Sequence, residues 1–152
     1  MILDERLEFA DATAVGTPNN TTVNVGDIID LGAGGNDPGN GKGMYLVIQV
    51  VSAITSGGSS IVRFVLASDS TTTIAVDGTQ TKHVQSDEIA VASLVAGFQL
   101  VLPLPLGADW PYERYLAFQI TETGSVVLTG GTVNAFLTFD PNGWKAYAAA
   151  TN

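Results

Sequence analysis

The chain has 152 residues, 45% of them hydrophobic and 14% charged, and a formal net charge of −9 from 15 Asp and Glu against 6 Lys and Arg. A disordered chain is excluded, because disorder goes with few apolar residues and many charges. With no Cys and a single His, a disulfide framework, thiol catalysis and Cys-ligated or multi-His metal sites within one chain are excluded as well.

The length fits one domain, residues 1–152, and neither a repeat nor a linker-like break divides it. Arg6, Lys42, Arg63, Lys82, Arg114 and Lys145 are scattered, so no basic cluster is offered to nucleic acid or to an anionic membrane. The start, Met1-Ile2-Leu3-Asp4-Glu5-Arg6, lacks the basic segment and longer apolar run of a secretory signal. A soluble product of the cytoplasm is expected.

In residues 1–15, Leu3, Leu7 and Ala10 fit either one short helix or an extended N-terminal arm. Val23 to Leu31 is a weak strand candidate. Gly32 to Gly43 follows, rich in glycine. It is not a phosphate loop: Asn36 stands where the leading Gly belongs, and Gly43 follows the Gly41-Lys42 pair where Ser or Thr is needed. Asn36, Asp37 and Asn40 offer oxygens to calcium, but neither the EF-hand spacing nor its closing Glu is present. A plain loop is expected.

Tyr45 to Val51 is almost continuously apolar and β-branched, the pattern of a strand buried on both faces. After the turn segment Thr55 to Ser60, Ile61 to Ala67 alternates. It puts Val62, Phe64 and Leu66 on one face and Arg63 on the other. Thr72 to Val76 is a weaker strand candidate, ended by Asp77-Gly78. His83 has no Gly-x-Ser-x-Gly elbow to give it a nucleophile and is expected on the surface or in a loop. Asp87-Glu88 and Asp109 with Glu113 are the tight carboxylate pairs of the second half. They could serve as acid and base in a glycosidase, but pairs beside turns are usually solvated.

Ile89 to Val95 and Phe98 to Leu102 are weak strand candidates, separated by Ala96-Gly97. Pro103 and Pro105 then share one face of an extended piece, and Leu102, Leu104 and Leu106 share the other. Proline cannot donate to a ladder, so an edge strand or extended connection is expected. Arg114 to Ile120 and Val133 to Phe139 alternate clearly, Val126 to Leu128 less so. Asp140-Pro141-Asn142-Gly143 opens a C-terminal tail, residues 140–152. About eight short strands between turns indicate an all-β sandwich or barrel.

Trp110, Tyr112, Trp144 and Tyr147 either plug the ends of the sandwich or contact a partner, as anchors in another protein or as platforms for a sugar. A mean hydropathy of +0.26 is apolar for a solitary domain with so few charges. A homo-oligomer is therefore expected, a dimer before a trimer.

Several segments, in order, resemble one known family. They are Leu3-Asp4 with Leu7-Glu8-Phe9-Ala10-Asp11-Ala12 and Ala14-Val15, then Asp27-Ile28-Ile29-Asp30-Leu31-Gly32 and Tyr45-Leu46-Val47-Ile48-Gln49-Val50. Downstream come Pro103-Leu104-Pro105-Leu106-Gly107, Arg114-Tyr115-Leu116, Gly130-Gly131-Thr132-Val133-Asn134-Ala135 and Leu137-Thr138-Phe139-Asp140. Together they resemble the capsid cement, or decoration, proteins of short-tailed phages, of the Bordetella-phage type. The resemblance covers most of the chain. It implies a single-domain jelly-roll β-sandwich, a homo-oligomer, and a structural role on the exterior of the virion, bound to a major capsid protein. It brings no catalytic residue, no cofactor and no metal. The Gly32 to Gly43 loop and Trp110-Pro111-Tyr112 depart from the family pattern. A carbohydrate-binding jelly roll of a phage fibre or receptor-binding component is the alternative. An enzyme is disfavoured by the missing nucleophile motifs.

Overall fold

A computed structural model describes residues 5–33, 38, 42–105 and 111–142. Its elements in chain order are a 3-10 turn (Glu5–Leu7), β1 (Glu8–Ala14), β2 (Thr22–Asp30), β3 (Tyr45–Ser56), β4 (Ser60–Asp69), β5 (Thr81–Gln85), β6 (Ile89–Ala90), a second 3-10 turn (Val91–Ser93), β7 (Gln99–Pro103), β8 (Tyr115–Gly124) and β9 (Leu128–Thr138).

Every ladder is antiparallel. One sheet runs β1-β9-β3-β7; the other runs β2-β8-β4-β5, with β6 also paired to β4. The order has a simple origin. Strands pair from the outside of the chain inward: β1 with β9, β2 with β8, β3 with β7, β4 with β5. The chain is thus one long antiparallel ribbon bent at residues 70–80. Rolling that ribbon up brings β9 beside β3 and β8 beside β4, which makes the two-sheet jelly roll.

Alternation supplies the core. Leu46, Ile48 and Val50 of β3 face Val62, Phe64 and Leu66 of β4 and Leu116, Phe118 and Ile120 of β8 within one buried cluster. The Phe64 and Phe118 rings stack at 5.9 Å. Each such side chain contributes roughly 1.5–3 kcal/mol on burial. The expected two-sided burial of β3 is present: Val47, on the face away from the core, has no exposure.

Some expectations are corrected. Where an extended arm or one short helix is expected, a 3-10 turn at Glu5–Leu7 leads into an extended stretch, residues 8–14, that pairs with β9 as a strand. The pattern is broken by a bulge in which Ala12 adopts φ 44° and the register to β9 shifts. Thr72 to Val76 is not a strand but part of the β4–β5 connection, and Ile89 to Val95 keeps only two strand residues before its 3-10 turn. His83 lies on β5, a strand the polar run Thr81-Lys82-His83-Val84-Gln85 did not announce. The proline-bearing segment is an edge, as expected: β7 ends its sheet.

Candidate functional site

Outward from the core, the second sheet carries a cover of its own. Asp69 ends β4 and accepts backbone N–H bonds from Thr71 (3.1 Å) and Ala75 (3.2 Å), which folds residues 70–76 back over the sheet. Those bonds hold the Asp69 carboxyl below its ordinary pKa. Beneath the folded loop, Gln119 Nε2 donates to Asn24 Oδ1 and to the Ala75 carbonyl, each at 2.8 Å. Gln80 Nε2 donates to Gln119 Oε1 at 3.1 Å, and Asn24 Nδ2 to the Ile74 carbonyl at 3.0 Å. Ile74, Val65, Ala67 and Ala117 are all at most 2% exposed. This outer face is therefore already occupied by the chain itself.

At one end of the sandwich the single His meets Tyr112. Their ring centroids are 3.8 Å apart at 20°. Ser68 Oγ lies 2.7 Å from His83 Nε2 and accepts the Glu113 N–H at 3.0 Å. Tyr112 donates its hydroxyl proton to the Pro105 carbonyl at 3.1 Å. Desolvation pushes the His83 pKa down to about 4, so the imidazole is neutral near pH 7. A serine beside a histidine suggests a nucleophile and its base. Three observations weigh against that chemistry here. Ser68 has no exposure, His83 Nδ1 has no hydrogen-bond partner among the described residues, and the Glu113 carboxylate takes the Thr81 hydroxyl proton at 2.7 Å. Among the described residues the histidine has no orienting acid, and the serine is buried.

Among the residues expected to contact a partner, Tyr112 is buried, 7% exposed, with its ring on His83. Trp110, Trp144 and Tyr147 lie outside the described residues. Asp87 and Glu88 are exposed, and Glu88 pairs with Arg63, which points out of the sheet as its position in the alternation requires. Asp109 and most of the Gly32 to Gly43 loop also fall outside the description. Lys42, at the end of that loop, holds its ammonium 5.2 Å from the Phe139 ring centre.

Charge is unevenly spread. Glu5, Glu8, Asp11 and Asp27 line one concave patch between β1 and β2. Burial raises the Glu8 pKa first, and repulsion from Asp11, Glu5 and Asp27 adds to it. Asp30 escapes this: Arg114 binds it through two N–H donors at 2.8 Å and lowers its pKa to about 2. Among the described residues, no group of three or more His, Cys, Asp or Glu is placed to hold a metal ion. No helix among them is long and apolar enough to cross a membrane.

The Bbp16 family model matches residues 9–137. The chain belongs to the Bbp16 family. Its name is that of a Bordetella phage protein. The matched span begins in β1 and ends in β9, the two strands that pair to close the rolled ribbon, so the match runs across the jelly roll of this chain. No curated protein matches the chain.

Proposed function

We propose that this member of the Bbp16 family is a structural virion protein without enzymatic activity, a cement protein that binds the exterior of a phage head and stabilises it. The carrying observation is the family match across all of the jelly roll. The chemistry of the chain agrees. A net charge of −9 suits the outside of a head better than contact with packed DNA. A two-sheet sandwich whose second sheet is partly covered by its own loop suits a part that reinforces a shell under outward pressure.

In this reading the protein is made in the host cytoplasm and acts as a homo-oligomer, a dimer before a trimer. Its partner is the major capsid protein, and Trp110, Trp144 and Tyr147 supply contacts. Many copies on a symmetric shell convert weak single contacts into firm attachment. The sugar-binding alternative loses support at Tyr112, whose face is taken by His83 instead of being open for stacking. The deciding experiment mixes purified protein with undecorated heads and sediments them, with a glycan array as the parallel test.

A further inference from the structure

The two seams of the sandwich differ. Along one, β1 and β2 are in contact; along the other, β5 barely meets β7. The open seam is a groove of about 460 Å³ whose floor is Phe98, Leu100, Leu102 and Ile89, all half-buried. Beside it runs the free edge of β7. Phe98 accepts the Val50 N–H, and Leu104 donates to the Met44 carbonyl, both at 2.9 Å. With Leu100 opposite Ile48 and Leu102 opposite Leu46, the even-numbered residues carry the ladder to β3. The N–H and C=O of Gln99 and Val101 therefore point away from the sheet, and no strand among the described residues pairs with them.

We propose that this edge and groove together are a docking site for an extended segment of another protein, added as a further strand beside β7. Alternate side chains of that segment enter the groove, and its backbone pairs with Gln99 and Val101. The rim defines its charge. Glu88 is paired with Arg63, but Asp87 is exposed and makes no ion pair among the described residues, so the segment carries a Lys or Arg beside its apolar positions. A second copy of this chain fits poorly. Two β7 edges paired antiparallel about Val101 set Gln99 against Pro103, which has no N–H, and bring the acidic rims together.

The inference rests on the cement reading, since a capsid protein is the source of such a segment, and the test separates the two. Val101→Pro removes an N–H that the fold does not use, and Asp87→Lys reverses the rim charge. Both full-length variants, checked for folding by circular dichroism, are titrated against undecorated heads. Amide hydrogen exchange is read on the wild-type protein with and without heads. The expected result is about ten-fold weaker binding for each variant and slowed exchange at Gln99 and Val101 in the wild type. Heads bound equally by all three proteins, with exchange at those amides unchanged, overturn the docking site and leave the cement reading standing. If the wild-type protein does not bind heads, the cement reading fails. A peptide alternating Val and Thr between two Lys residues then decides the groove. Shifts of the Leu100 and Leu102 methyl resonances that vanish in Val101→Pro support the site, and the absence of shifts overturns it. A fall in oligomer mass in both variants without heads assigns the groove to a second copy and also overturns the inference.

Discussion

The ring of Tyr112 lies flat against that of His83, 3.8 Å between centroids, and covers the imidazole with apolar surface. The residue that leads into β8 thereby packs against β5, and burial at this contact favours the neutral imidazole. The unfolded chain protonates His83 near pH 6.5, the folded chain near pH 4. Between those values the unfolded state binds more protons, so stability falls as the pH drops through that window. Because the imidazole is still partly solvated, screening reduces the loss to about 1–2 kcal/mol at full protonation. Urea denaturation at pH 7.5 and pH 4.5 measures it. A His83→Gln variant should show a flatter profile over this interval, and an unchanged slope would show that other groups control it.

Gly26 sits at the bulge of β2 with φ +77°, and a Cβ there would lie 1.9 Å from the Phe9 carbonyl oxygen. Both the left-handed backbone and the close approach to β1 demand glycine. Gly26→Ala should cost at least ~2 kcal/mol and loosen the contact between β1 and β2. Gly57→Ala, where a Cβ meets nothing within 4 Å, is the control and should be near neutral. Thermal unfolding of the two variants side by side provides the comparison.

Gln119 has no exposure and holds Asn24, Gln80 and the Ala75 carbonyl together. Gln119→Leu keeps the volume but leaves these groups without their partner. A loss of roughly 1–3 kcal/mol is expected for an orphaned buried polar group. Limited proteolysis should cut the variant within residues 70–80 while the sheets stay intact. Resistance equal to that of the wild type would mean the loop is held by Ile74 alone.

The strands that were plain in the sequence are those whose side chains divide cleanly between core and outside. Val62, Phe64 and Leu66, or Leu116, Phe118 and Ile120, declare their strands through alternation alone. β1 and β5 were hidden for different reasons. In β1 the register to β9 shifts twice, between Glu8 and Ala10 and again between Ala10 and Thr13, so the alternation fails and Phe9 and Ala10 are both buried. In β5 the edge position leaves every residue half-buried or exposed, and no apolar stripe forms. Burial on the far face of the second sheet was equally illegible, because residues 70–80 that create it are short-range turns joined to distant strands by Gln119. The pairing of Ser68 with His83 spans β4 and β5, and no local motif signals it. The edge character of β7 was legible because Pro103 reports it directly.

Removing residues 143–152 deletes Trp144 and Tyr147 but leaves β1 to β9 whole. The truncated chain should keep its dichroism spectrum and bind heads more weakly, or lose oligomer mass if the segment packs between copies. Mass and head binding measured on one sample separate those outcomes. A folded truncation with unchanged mass and unchanged affinity would remove the tail from the contact surface.

Attachment to the outside of a phage head is read out by co-sedimentation. Increasing amounts of the full-length protein are mixed with undecorated heads, pelleted, and quantified in pellet and supernatant. Binding should saturate at a fixed number of copies per capsid, and saturated heads should withstand heating better. Protein that remains in the supernatant at every ratio, with head stability unchanged, would contradict attachment to the head.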